Sequence, residues 1–315
     1  MVVTHILIRL LVVAVIFVNG WTDAPNAIAT SVGSGALTFR RAVWLATACN
    51  FAGAVLSCLL FPAVAATVSD LVHFTDEQAA LTALCAAMLS IVLWAVAAWR
   101  FGLPTSESHA LLAGLSGSAL ALGGQAAALN GEAWLKVGLG MTISLVAGAL
   151  AGRSFRLSLA RRSCNAVTWQ RFAAGAMALL HGVQDSQKFL ALLLLADGLG
   201  GVESASPFLL ALLTAGIMAL GTALGGRPIV EKVGRELMSL SPVNGLAADL
   251  GAGAVLLVCS FLGLPVSTTH AKVAAICGAG KHPDLRILGQ IGGAWALTFP
   301  CCALLAFLLT KIMLS

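Results

Sequence analysis

Asp23, Asn26, Thr30 and Ser31 fall within about three helical turns of one another, directly after a hydrocarbon run from Ile6 to Val18 that only Arg9 interrupts. A carboxylate, an amide and two hydroxyls so spaced offer oxygens to a cation and donors to an anion. A second acid, Asp185, ends G-V-Q-D, which echoes the G-W-T-D that ends at Asp23. Further along, G-L-P-T-S-E-S-H (Gly102 to His109) is echoed by G-L-P-V-S-T-T-H (Gly263 to His270). The first copy carries Ser106 and Ser108 and the second Ser267, Thr268 and Thr269, all just after a proline where a helix can begin. Hydroxyls and free N–H groups at a helix N-terminus form an anion site. Two such sites facing each other suit a tetrahedral oxyanion. For any single hydroxyl, the alternative is a helix cap.

The elements that must position these groups are made of hydrocarbon. Of 315 residues 59% are apolar and 10% charged, and the 33 glycines are spread through apolar runs. This predicts an all-α polytopic membrane protein. F-L-L-A-L-L at Phe208 to Leu213 is apolar at every position, whereas a transmembrane barrel strand alternates. No A-x-A site precedes the first polar cluster, so the first run reads as a retained span and not a signal peptide. All eight cysteines except Cys164 lie in apolar segments, without C-x-x-C or zinc-spaced histidines, and read as packing residues. The net charge of +5 does not require nucleic acid, because the basic residues gather at the ends of spans.

The motif pairs recur at one offset: 185 − 23 = 162 and 270 − 109 = 161. That describes a duplicated chain, with repeats over 1–152 and 172–315 joined by a basic, cytoplasmic linker at 153–171. The linker holds Arg153, Arg156, Arg161, Arg162 and Arg171. In the second repeat the loop Asp197 to Ser206 has acids and no base, while Gly226 to Ser241 carries Arg227, Lys232 and Arg235. Their first-repeat counterparts reverse the sign: Arg40 and Arg41 in one place, Asp70, Asp76 and Glu77 in the other. Lys and Arg collect in cytoplasmic loops, so equivalent loops lie on opposite faces. Two inverted-topology repeats result, with the binding site near the midplane between them.

Each repeat reads as about five membrane segments, near residues 6–36, 42–62, 80–99, 104–124 and 134–152, then 170–196, 207–225, 243–262, 264–280 and 287–310, with both termini external. Segments 6–36 and 104–124 carry Gly, Pro, Ser and Asn, which predicts broken helices or re-entrant hairpins at the midplane. Asp23 and Asp185 are functional candidates because an unpaired intramembrane acid is costly. The alternative for Asp23 is a cap on a helix starting at Pro25. His109, His181 and His270 are relay candidates that packing explains as well. Lys272 is expected to snorkel to the inner surface.

The stretch G-W-T-D-A-P-N-A-I-A-T-S-V-G-S-G-A-L-T resembles the first signature of the inorganic phosphate transporter (Pit) family, usually G-x-N-D-x-x-N-x-x-G-T-x-V-G-S-G-A-L-T. The region from Gly225 through Gly280, including G-G-R-P-I-V-E-K-V-G-R-E-L-M and G-L-P-V-S-T-T-H-A-K-V, is similar to the family's second-half core. The resemblance covers both repeats. It implies a symporter built from inverted repeats that moves phosphate with sodium or protons. Substrate contacts are then expected from Asp23, Asn26, Ser106, Ser108, Asp185, Lys188, Ser267, Thr268 and Thr269. Cation or proton coupling is expected at Asp23, Asn26, Thr30, Glu107, Asp185 and Asp249, the last standing where the family usually has Glu. Sodium, if bound, is expected at Asp23 and Asn26.

Two departures bear on coupling. The second signature, H-G-x-N-D-x-x-N, reads H-G-V-Q-D-S-Q-K, so Lys188 stands where the first repeat has Asn26, and Glu107 takes the place of Thr268. A fixed ammonium can substitute for one sodium, which favours proton coupling over sodium. Glu107 and Lys188 are expected to pair when no anion is bound, or to form a plain structural ion pair. The function so read is a proton-coupled phosphate symporter of the plasma (inner) membrane, without a cofactor. The alternatives are a sulfate permease of the same fold and an anion channel. An enzyme is not expected, because no nucleophile, base and orienting acid share a pattern. The expected partners are phosphate (or sulfate) and the lipid bilayer, with no nucleic acid and with homo-oligomerisation left open.

Overall fold

Hydrocarbon runs punctuated by Gly, Pro and charge fold here into long helices. The structure, a computed structural model, describes residues 2–60, 63–123, 127–161, 164–201 and 205–315. The first repeat comprises α1 (Val2–Thr22), α2 (Pro25–Gly33), α3 (Phe39–Leu60), the short α4 (Ala63–Ser69), α5 (Glu77–Arg100), α6 (Glu107–Leu122) and α7 (Gly131–Leu159). Two short strands, β1 (Val72–Phe74) and β2 (Ala127–Leu129), pair antiparallel beside it. The second repeat follows the same order: α8 (Ala166–Leu199), α9 (Pro207–Leu224), α10 (Arg227–Glu231) running into a π-helical turn (Lys232–Glu236), α11 (Pro242–Phe261), α12 (Thr268–Ala279) and α13 (Leu285–Leu314). Val3–Gly33, Glu77–Arg100, Gly131–Leu159, Pro207–Leu224, Pro242–Phe261 and Leu285–Leu314 are each long and apolar enough to cross a bilayer. The chain is a multi-pass membrane protein.

The first helix breaks where the sequence predicts. Pro25 lacks an N–H and opens α2 at its first position, and the amides of Asp23 and Ala24 both reach back to the Asn19 carbonyl, at 2.9 and 3.2 Å. Its partner α8 runs unbroken through Asp185 because the position matching Pro25 is Gln187, which keeps its N–H in the helix. Helices α6 and α12 have 16 and 12 residues. At about 1.5 Å per residue they span roughly 24 and 18 Å, short of a hydrocarbon core about 30 Å thick. The extended segments before them, 103–106 and 264–267, therefore carry the chain inward to buried helix starts, as the re-entrant reading requires.

The basic stretch 153–171 is a linker only in part. Arg153 and Arg156 extend α7 and Arg171 lies in α8, which leaves 160–165 as the joint; Arg162 and Ser163 lie outside the described residues. A helix longer than the bilayer is thick continues past the surface until its sequence stops it, here near Asn165, which caps α8.

The repeats interlock. Helix α1 packs on α9 and α8 on α3, while α6 packs on α13 and α12 on α7, so each repeat buries its faces largely against the other. Glycines set the closest approaches. A Cβ at Gly20 would lie 2.1 Å from the Met218 carbonyl oxygen, and one at Gly182, offset by 162 residues, 2.4 Å from that of Asn50. Two apolar cores result, one around α1, α5 and α6 and the other around α2, α11 and α12.

Candidate functional site

The helix break, the middle of α8 and the N-termini of α6 and α12 converge. Ser106 caps α6 by accepting from the His109 N–H (3.2 Å), and Ser267 caps α12 by accepting from the His270 N–H (3.1 Å). The extended segments brace one another across the repeats. The Ser108 hydroxyl donates to the Val266 carbonyl (3.3 Å), and the Thr269 hydroxyl lies 3.1 Å from the Thr105 carbonyl. The first-turn amides of both helices have no acceptor within their own helix, and their starts lie side by side.

Asp23, 1% exposed, does not cap α2. Its carboxylate accepts from Asn26 Nδ2 (3.1 Å), from the Thr268 hydroxyl (3.3 Å) and from the Thr269 hydroxyl. Asn26 Nδ2 also lies 3.1 Å from Thr269 Oγ1. Asp185 is the related acid, and its surroundings differ in charge. Lys188 Nζ donates to Asp185 Oδ1 (2.6 Å), to the Val266 carbonyl (2.9 Å) and to the Ser108 hydroxyl. Asn19 Nδ2 donates to Asp185 Oδ2 (2.9 Å), with His181 Nε2 at 3.3 Å. The two acids surround themselves with matched atoms. Asp23, Thr269 and Thr105 correspond by the offset to Asp185, Ser108 and Val266, and the donor changes from an amide to an ammonium.

The expected pairing of Glu107 with Lys188 is not found. Asp185 and Lys188 are three residues apart on a continuous helix, which puts them on one face, so the near acid takes the ammonium. Glu107 instead accepts from the Thr22 hydroxyl and sets its carboxyl against that of Asp23. The other Glu107 oxygen, Oε2, has no partner among the described residues. Lys272 does not snorkel. It is fully buried, and its ammonium donates to Asp249, to the Ala27 carbonyl (3.0 Å) and to the Thr30 hydroxyl (3.1 Å), which in turn donates to Asp249 Oδ1 (2.6 Å). A long cation whose stem points into a core snorkels only if water is within reach; here an acid is nearer.

Asn19 and Thr22 were passed over by the spacing argument, although they precede Asp23 by four residues and by one. Asn50 supports the site from behind: its Oδ1 lies 3.0 Å from His181 Nδ1, and its Nδ2 donates to Thr222 (3.1 Å). His109 and His270 meet each other, ring centroids 5.7 Å apart, within an aromatic group that includes Trp295 and Phe299. Ligand atoms of Asp23, His181 and Asp185 lie within 4.8 Å of one another, so both acids and an imidazole can reach one cation. Taken together, the site offers an ammonium, hydroxyls and helix-start amides to an anion, and carboxyls to protons or cations.

Comparison with known proteins gives the family of the chain. Residues 19–172, and again residues 161–306, match the phosphate transporter family. A probable low-affinity inorganic phosphate transporter of Bacillus subtilis (strain 168) is 34% identical, over 95% of this chain and 94% of that protein. One of Rhizobium meliloti (strain 1021) is 31% identical, over 96% and 95%. In three dimensions the chain is similar to a solved structure titled the sodium-dependent phosphate transporter, with a TM-score of 0.85, 21% identity and 98% of each chain covered.

Proposed function

The chain belongs to the phosphate transporter family, and from that premise we propose that it is a proton-coupled symporter that carries inorganic phosphate across the plasma membrane by alternating access around the site between its repeats. Both termini are external in this reading, and the basic ends of α7 and α8 are cytoplasmic.

One observation carries the choice of proton. Asp185 has its own cation in Lys188, whereas Asp23 has hydroxyls, an amide and the Glu107 carboxyl. Two buried carboxyls set this near each other repel when both are bare, which favours the uptake of a proton at the pair. The Asp23–Glu107 pair is therefore the proton carrier. Lys188, the Ser108 and Thr268 hydroxyls and the amides at the starts of α6 and α12 form the anion site, where charge-assisted bonds are the strong ones. Phosphate draws the ammonium away from Asp185 and presents its own hydroxyl to a carboxylate, so anion and proton occupy one network and cross together. Asp249 is excluded from this cycle by its bond to Lys272.

The test is uptake of labelled phosphate into proteoliposomes of purified protein. Accumulation is expected when an inward proton gradient is imposed in sodium-free buffer, with excess sulfate competing weakly. Uptake that requires sodium and ignores the pH gradient would overturn the reading.

A further inference from the structure

The mechanism above leaves one pair of buried ions unused, Asp249 on α11 and Lys272 on α12, which close over α2. The Lys272 ammonium is enclosed by oxygen: the Asp249 carboxylate, the Thr30 hydroxyl at 3.1 Å and the Ala27 carbonyl at 3.0 Å. Lys188 has the same set, a carboxylate, a hydroxyl and a carbonyl, from Asp185, Ser108 and Val266. These are the ligands that hard metal cations take, arranged twice around nitrogen. Asp249 Oδ2 has no partner among the described residues, so the cage has a spare oxygen.

Packing does not explain the pair. Subtracting the repeat offset carries Asp249 to Met88 and Lys272 to Leu111; adding it carries Thr30 to Leu192 and Ala27 to Phe189. All four of these residues are buried in the first core. The same place in the other repeat is filled with hydrocarbon, and an apolar set often replaces a buried ion pair without loss of stability. Buried charge at membrane depth is costly and tends to mark function. The helix it holds is the one that carries Asn26.

We infer that the Lys272 ammonium is a tethered cation occupying a metal-cation site formed by Asp249, Thr30 and Ala27, so that this site is permanently filled and takes no exchangeable sodium during transport. The inference rests on the phosphate-symport reading only where it speaks of transport. The binding test below does not depend on that reading.

The experiment is a comparison of wild type with Lys272→Ala, each purified in detergent, by equilibrium binding of labelled sodium and by thermal unfolding in sodium chloride against choline chloride at one ionic strength. The variant is expected to bind one sodium more per chain than wild type, with a saturable rise in Tm in sodium only. Adding Asp249→Asn is expected to remove both effects. A folded variant that binds no more sodium than wild type overturns the inference. If Lys272→Ala is recovered only in sodium, that supports the inference. If it is recovered in neither salt, Lys272→Leu with Asp249→Met decides. That double variant copies the other repeat and removes the cage's carboxylate together with its cation; it is expected to fold and to bind no more sodium than wild type, and an added sodium bound by it overturns the inference. Sodium-driven uptake by wild type would overturn the proton reading and leave the difference in bound sodium to be judged separately.

Discussion

Lys188→Asn gives the second repeat the acid and amide that the first carries at Asp23 and Asn26. The ammonium it removes makes three hydrogen bonds, two of them at 2.6 Å (Asp185) and 2.9 Å (the Val266 carbonyl). Removing one member of a buried ion pair typically costs about 3–5 kcal/mol, because the remaining charge is stranded. Asp185 keeps the Asn19 amide at 2.9 Å and has the His181 ring at 3.3 Å, so stability should fall toward the lower end of that range. Phosphate loses one charge-assisted bond, about 1.5–3 kcal/mol, or roughly ten- to a hundredfold in affinity. The amide oxygen joins Asp185, Ser108 and the Val266 carbonyl in an all-oxygen cage, so transport should gain dependence on sodium. Lys188→Met serves as the control: it loses the same affinity without gaining an oxygen, and its transport should stay indifferent to sodium. The assay is phosphate binding to purified protein, followed by uptake in proteoliposomes with and without sodium. Phosphate affinity within twofold of wild type in both variants would refute the assignment of Lys188 to the anion.

Asp23→Asn and Asp185→Asn should each abolish phosphate accumulation while leaving the protein inserted and monodisperse; wild-type uptake in either would reduce that acid to a structural role. Glu107→Gln should leave phosphate binding within a few-fold and uncouple uptake from the pH gradient, read as counterflow that persists while gradient-driven accumulation disappears. Thr268→Ala, which removes a hydroxyl of the proposed anion site, should weaken phosphate binding by about 1.5–3 kcal/mol, whereas Ser267→Ala, the loss of a cap, should show mainly as about 1 kcal/mol of stability. Equal effects of the two on affinity would mean that capping and ligand contact are not separable here. Gly182→Val should lower the yield of folded protein, since its side chain meets the Asn50 carbonyl in the α3–α8 contact.

The duplicated frame was legible because polar residues stand out against hydrocarbon. Asp23, Asp185 and the two proline-hydroxyl motifs announce the repeat by themselves, and the signs of Arg40 and Asp197 announce its inversion. The break at Pro25 follows from one missing N–H, and the continuity of α8 was equally available from Gln187 at the matching place. On a continuous helix the three-residue spacing of Asp185 and Lys188 pairs them. The Asp249–Lys272 pair was not legible, because it depends on how α11 and α12 close over α2, which no spacing encodes. The π-helical turn at Lys232–Glu236 and the β1–β2 pair have no clear periodic signal either. The former follows from packing: Gly234 sits where a Cβ would lie 2.2 Å from the Ala29 carbonyl oxygen, so the turn is shaped by the helix it touches.

The charges of the site set an order of events. Asp23, Glu107 and Asp185 bring three carboxyls to it, and Lys188 brings one ammonium. Without protons the excess is negative, and each unpaired carboxylate roughly 4 Å from an incoming anion opposes it by about 4 kcal/mol per unit charge at an effective dielectric constant near 20. No single hydrogen bond from a hydroxyl, about 0.5–1.5 kcal/mol, offsets that. In the proposed proton-coupled cycle a proton on the Asp23–Glu107 pair must therefore arrive before or with the anion, and the same arithmetic, run backwards on the other side of the membrane, would make its departure expel the anion. Obligatory coupling thus needs no separate gate that senses both ligands. In the proposed cycle it needs only that one repeat holds a fixed cation and the other an acid that can be discharged, Lys188 where its counterpart is Asn26 and Glu107 where its counterpart is Thr268.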